Sequence, residues 1–126
     1  MLSNEQLRLI TERHMEQKNE TARKDDGDGK LRYDLLPVRA LAEVARVFSI
    51  GAAKYGDKNW RGGMSWSRMY GAMFRHIQAW WSGEDNDKEN GQHHLSAVAF
   101  YSLCLMEYQR IHPELDDRDK ETTVDR

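Results

Sequence analysis

The chain has 126 residues, 32% of them charged, with a net charge of −2 and one cysteine among four Trp and six Met. That length suits one domain with a real core, and the charge balance excludes a polyanion binder. A lone cysteine excludes an internal disulfide and fits a reducing cytosol, and no apolar run approaches the ~18 residues that span a bilayer.

Ser3 to about Gln17 reads as a short amphipathic helix, with Ser3 and Gln6 spaced as a capping box. Its apolar edge, Leu2, Leu7, Ile10 and His14, is thin. The first residues lack the long apolar core of a signal peptide. TARKDDGDGK (21–30) reads as a polar loop. Its Asp25, Asp26 and Asp28 are not a calcium loop, because no Glu stands at a twelfth position. Pro37 opens a helix to about Tyr55, with Leu41, Val44, Ala45, Phe48, Ala52 and Tyr55 on one stripe. Gly56 is placed to stop it.

Ser65 is placed to cap a second long helix, on which Trp66, Met69, Tyr70, Met73, Ile77 and Trp80 recur at helical spacing until Gly83. A third runs from about Gln92 to Ile111 and is apolar nearly all round, which predicts burial in a bundle centre or at a subunit interface. Cys104 within it reads as a buried inert thiol. Pro113 ends it, and PELDDRDKETTVDR (113–126) reads as a charged tail without structure. No long stretch alternates with period two. The expected fold is an all-α bundle of three main helices plus a short N-terminal one, a single domain over 1–112, with enough apolar surface to favour a homo-dimer or homo-tetramer.

Chemistry concentrates at the second turn between helices, GEDNDKENGQHH (83–94). On a helical wheel His76 falls about 20° from Met69 and about 40° from Trp80, at the edge of the apolar stripe. If that helix persists one more turn, Glu84 stacks below Trp80 and His76, and Asp87 follows by three. His94 shares a stripe with Leu95, Val98, Tyr101 and Leu105. In an antiparallel hairpin His76, Glu84, Asp87 and His94 converge. Carboxylates suit Mg²⁺ or Mn²⁺, and imidazole tilts the choice toward Mn²⁺ or Zn²⁺. Taken singly, each His reads as a hydrogen-bonded core residue and each acid as a turn or capping residue. Glu43, flanked by Arg39 and Arg46, reads either as a surface ion pair or as a ligand or base facing a cleft. By side-chain chemistry Lys30, Arg32 and Lys54 suit phosphates, Asn59 a base edge, and Tyr55 or Trp60 a purine face or the core.

Four stretches, GKLRYDLLP (29–37), FSIGAAKYGDKNW (48–60), GMSWSRMYGAMFRHIQAWWSGEDND (63–87) and GQHHL (91–95), keep the order and spacing of a known family. Residues 30 to about 107 resemble phage and prophage dATP/dGTP diphosphohydrolases, akin to the all-α MazG-like pyrophosphohydrolases. The resemblance implies a bacterial host's cytoplasm and hydrolysis of a purine (deoxy)nucleoside triphosphate to monophosphate and pyrophosphate. The cofactor would be Mg²⁺ or Mn²⁺ and the partner a purine nucleotide, with no membrane and no nucleic-acid polymer. Catalysis would fall to Glu43 and Glu84. The chain departs from MazG-like enzymes where their acidic pairs would fall, at His76 and Ala79 and at His94 and Ala97. The phage family also has a His and an Asn where this chain has Ala97 and Tyr101. Either the ligands have moved to Glu43, Glu84, Asp87 and the two His, or the chain binds and sequesters a nucleotide without hydrolysing it.

Overall fold

The computed structural model describes residues 1–16 and 29–121. The expected loop over 21–30 therefore lies mostly outside the described residues, as do 122–126. The chain divides into two compact units, Met1–Pro37 and Val38–Arg126.

The first unit holds α1 (Asn4–Glu16) and a short 3₁₀ turn at Tyr33–Leu35. The capping box forms as read: the Ser3 amide donates to Gln6 Oε1 at 2.8 Å and the Gln6 amide to Ser3 Oγ at 3.1 Å.

The second unit contains α2 (Val38–Tyr55), α3 (Trp66–Trp81) and α4 (His94–Ile111). Among the described residues there is no strand, only an isolated bridge between Asn86 and His93. The fold is all-α. α4 is the central element and packs on both α2 and α3. Trp66, Met69, Cys104 and Tyr108 are buried together, with Phe48 and Trp60 packed against them. Phe48 meets Phe100 edge-on at 4.7 Å, and Tyr108 donates its hydroxyl to the Trp60 carbonyl. Burial pushes the Cys104 thiol up to about 12, which keeps it protonated and inert, as read from its apolar surroundings.

The apolar faces are less covered than their patterns predict. α2 has no fully buried residue, and the ends of its stripe, Leu41 and Tyr55, are exposed. α4 is buried through His94, Ser96, Ala97, Cys104 and Tyr108, yet Leu95, Leu103 and Met106 face outward. Two neighbours cannot wrap a helix that is apolar all round.

The described part of the expected tail, residues 113–121, has structure. Pro113–Leu115 form a 3₁₀ turn whose Leu115 reaches the core. Asp117 then accepts from the Ser67 amide at 2.9 Å and from the Ser67 hydroxyl, while the Arg118 guanidinium sits 4.8 Å over the Trp66 ring. Ser65 holds the N-cap position of α3 without a side-chain cap, so the tail supplies the acceptor that the cap was expected to supply.

His112 fastens the same corner. Its Nε2 donates to the Arg61 carbonyl at 2.6 Å and its Nδ1 to Glu114 Oε1 at 2.7 Å. The Glu114 carboxylate first, and the Arg61 carbonyl second, raise the imidazole above its ordinary value of 6.5. Only the imidazolium donates from both nitrogens. The stabilisation is therefore complete below pH 6.5 and is lost as pH rises through the raised value of the folded state. Melting wild type and His112→Gln across pH 5 to 9 checks this: the gap between them should be widest in acid and close in base.

Candidate metal centre

The turn between α3 and α4 builds the site. Gly83, at φ +106°, ends α3 in a Schellman arrangement: Glu84 N–H donates to Ala79 O at 3.1 Å and Gly83 N–H to Trp80 O at 3.0 Å. Glu84 is thus brought round by a left-handed glycine and not by one more helical turn, as the wheel supposed. Asp87 is the loop's internal brace. Its amide donates to Gln92 O and its carbonyl accepts from Gly91, both at 2.7 Å. Its Oδ1 accepts from the Glu89 amide at 2.8 Å. His93 caps α4, its Nδ1 accepting from Leu95 N–H at 3.1 Å. The His94 amide donates to Asp85 O at 2.9 Å, pinning the first turn of α4 to the loop.

The convergence expected from the sequence is present for three residues. Ligand atoms of His76, Asp87 and His94 lie within 4.8 Å of one another. The two imidazoles face each other, Nδ1 to Nδ1 at 2.9 Å, and Asp87 Oδ2 lies 4.0 Å from His76 Nδ1. Glu84 stands behind them: its Oε1 accepts from His94 Nε2 at 2.7 Å. That bond places the His94 proton on Nε2 and turns the Nδ1 lone pair into the cluster. Burial, with the neighbouring His94 second, holds the His76 imidazole below its ordinary value and so neutral. Neutral imidazole is the form that binds metal.

These donors fit a divalent cation. Two ligands of one ion, each about 2.1 Å from it, stand roughly 3 to 4 Å apart, so the cluster needs only a small adjustment. A carboxylate on the far nitrogen of a ligating His is the usual outer partner of such a site. Two His and one carboxylate suit Mn²⁺ or Zn²⁺ better than Mg²⁺, which prefers oxygen.

The other expected residues are not among these three ligands. Glu43 pairs with Arg46 at 3.3 Å on the exposed side of α2. Lys54, Tyr55 and Asn59 are exposed near the C-terminal end of α2 and beyond it. The Trp60 ring is spent on packing, 6.1 Å from Phe48 and 6.5 Å from Tyr108. Lys30 and Arg32 belong to the first unit, where Arg32 is bidentate to Asp34 at 2.8 and 2.7 Å.

Four neighbours of the cluster were not singled out from sequence. A cleft of about 100 Å³ opens on His76 and Asp87, walled by Phe100 and Tyr101 and rimmed by Asn90 and Gln92. The Tyr101 ring stacks on His76 at 6.0 Å and 27°. Asn90 and Gln92 were hidden in a polar loop with no period to mark them. Phe100 carries no signal beyond apolar helical spacing, and Tyr101 only that the resembled family has an Asn there.

The class so defined is a small helical bundle with a His–carboxylate centre at one helical hairpin. Residues 18–118 match the family model for the N-terminal part of dATP/dGTP diphosphohydrolases, and the chain belongs to that family. It is 36% identical over 90 residues to a dATP/dGTP diphosphohydrolase of Salmonella phage PMBT28, an overlap covering 71% of this chain and 31% of the relative. The chain thus spans about a third of the length of that curated relative. No solved structure matches it.

Proposed function

We propose that this chain hydrolyses dATP or dGTP to the monophosphate and pyrophosphate with a divalent cation held by His76, Asp87 and His94, in control of a phage-infected cell's nucleotide pool. The observation that carries the reading is the opposed pair of imidazole Nδ1 atoms beside the Asp87 carboxylate in a chain of this family. When bound, the cation supplies charge neutralisation for the triphosphate and an acidified water. Glu84 orients His94 and keeps its lone pair inward. Asp87 contributes the charged oxygen, and its other oxygen keeps the loop closed. Arg75, whose charge is felt at both His76 and Tyr101, suits the polyphosphate. No helix among the described residues is long and apolar enough to cross a membrane, and the host cytoplasm is the compartment where such a substrate is met.

Homo-oligomer formation belongs to the same proposal. Tyr70, Phe74, Ile77 and Trp81 follow one another along α3 and are all exposed, with Trp81 81% open and Met106 of α4 69% open. Stripes of this size normally meet a partner. A single-chain mass in light scattering removes this part of the reading.

The testing experiment is a turnover screen of common NTPs and dNTPs with Mg²⁺, Mn²⁺ and EDTA, products resolved by ion exchange. Metal-dependent pyrophosphate release from a purine substrate is the expected result. Glu84→Gln should then lower turnover and metal affinity by about 10- to 100-fold, since the amide still accepts from His94 but lacks the charge. Stoichiometric retention of intact nucleotide, with no product under any metal, moves the chain to a sequestering role.

A further inference from the structure

We infer that the open groove beside the metal cleft is the nucleobase subsite, and that Glu43 and Asn90 make it prefer guanine over adenine. The inference rests on the nucleotide reading above. The cleft at His76 and Asp87, about 100 Å³, has room for a few waters or a phosphate group, since a water occupies about 30 Å³. A purine nucleoside has to lie outside it. A groove of about 660 Å³ runs along α2 next to it, within the size range of small-molecule sites. The two spaces share a wall, because Asn90 and Gln92 line both. A nucleotide with its phosphates at the cluster can therefore reach across the 90–92 turn to α2.

The groove's chemistry suits a purine. Ala42, Ala45 and Ile50 give the groove an apolar lining for the ring face. Glu43, Arg46 and Ser49 stand along it. The Glu43 carboxylate, half exposed and steadied by Arg46 at 3.3 Å, can only accept. Guanine offers N1–H and the N2 amino group side by side, a matched pair of donors for a carboxylate. Adenine offers a bare N1 lone pair there, which the carboxylate repels. Asn90 adds a second bias in the same direction. Its Oδ1 is occupied by the Gln92 amide at 2.9 Å, which leaves the amide NH₂ as its outward group. That donor matches the O6 and N7 acceptors of guanine, whereas adenine presents a donor at N6.

The test compares kcat/KM for dGTP and dATP, with Mn²⁺, in wild type, Glu43→Gln and Asn90→Ala. Both side chains are exposed, so circular dichroism should match wild type, with only a small drop in melting temperature in Asn90→Ala from the lost bond to the Gln92 amide. Wild type should favour dGTP. Glu43→Gln should lower the dGTP:dATP ratio by about tenfold or more, mainly through KM, and Asn90→Ala by a smaller factor. A wild type that favours dATP, or a ratio unmoved in both variants, overturns the subsite and leaves the hydrolase reading standing. If wild type hydrolyses nothing, the hydrolase reading fails separately, and dGMP and dAMP are titrated against the three proteins by calorimetry. Tighter dGMP binding lost in Glu43→Gln then upholds the subsite, and binding without base preference, or none, overturns it.

Discussion

Asp87→Asn should lower turnover by at least about 100-fold and Mn²⁺ affinity by about as much, while the fold stays within about 1 kcal/mol of wild type. The two oxygens of this carboxylate have different tasks. Oδ1 accepts from the Glu89 amide at 2.8 Å and holds the loop, whose backbone bonds to Gln92 and Gly91 do not involve the side chain. An asparagine carbonyl can take over Oδ1. The Oδ2 position, 4.0 Å from His76 Nδ1, would then carry an NH₂ group that donates hydrogen bonds and cannot ligate a cation. The substitution removes the only formal negative charge in the group of three and leaves the two imidazoles in place. Its effect should exceed that of Glu84→Gln, where the lost charge lies one bond further out, behind His94. Calorimetric titration with Mn²⁺ and a melting curve separate the two possibilities. Unchanged metal affinity in a folded Asp87→Asn protein removes the His76–Asp87–His94 centre from the mechanism.

The helices were legible because each is written in local terms. Pro37 before α2, Gly83 after α3 and Pro113 after α4 mark ends that the backbone obeys. The pairing of His76 with His94 was legible in part: a wheel gives the angle of a side chain, and a hairpin of neighbouring helices brings those faces together. The wheel could not say which donors meet atom to atom. That is set by the Schellman turn at Gly83 and by the bonds Asp87 makes inside its loop, and these put Glu84 behind His94. Side-chain chemistry alone points Lys54, Tyr55, Asn59 and Trp60 at a nucleotide, and it carries no information about distance. Lys54, Tyr55 and Asn59 lie toward the far end of α2, and Trp60 serves the core. Residues 113–121 depart from a solvated tail for a related reason. Asp116, Asp117 and Arg118 look like a solvated charge run, but Arg118 is bidentate to Asp116, which is held well below the usual carboxylate range by that pairing, and Asp117 reaches Ser67. Composition counts charges and does not say whether they are satisfied at a distance of fifty residues.

Gly63→Ala should destabilise the second unit by roughly 2 to 4 kcal/mol, whereas Gly71→Ala should stabilise it by about 0.5 to 1 kcal/mol. The two glycines stand eight positions apart and differ in backbone and surroundings. Gly71 lies inside α3 with ordinary helical geometry, and an added Cβ would find only the Arg75 guanidinium at 3.6 Å. There alanine only restricts the unfolded chain and favours helix. Gly63 has φ +96° and ψ 144°, a region that side chains avoid. An added Cβ would also lie 2.7 Å from Leu115 Cδ1 and 3.0 Å from the His112 ring. Neither neighbour gives way cheaply. Leu115 packs on the core, and His112 is held from both nitrogens. Moving them pulls on the segment that brings Asp117 to the start of α3 and Arg118 to Trp66. The loss therefore spreads from one methyl group to the cap and the core beneath it. Urea unfolding of both variants measures the two signs directly, and a Gly63→Ala midpoint equal to wild type shows that the tail does not hold α3. The His76–His94 pair sits at the other end of α3, so below its lowered midpoint Gly63→Ala should still bind Mn²⁺ as wild type does.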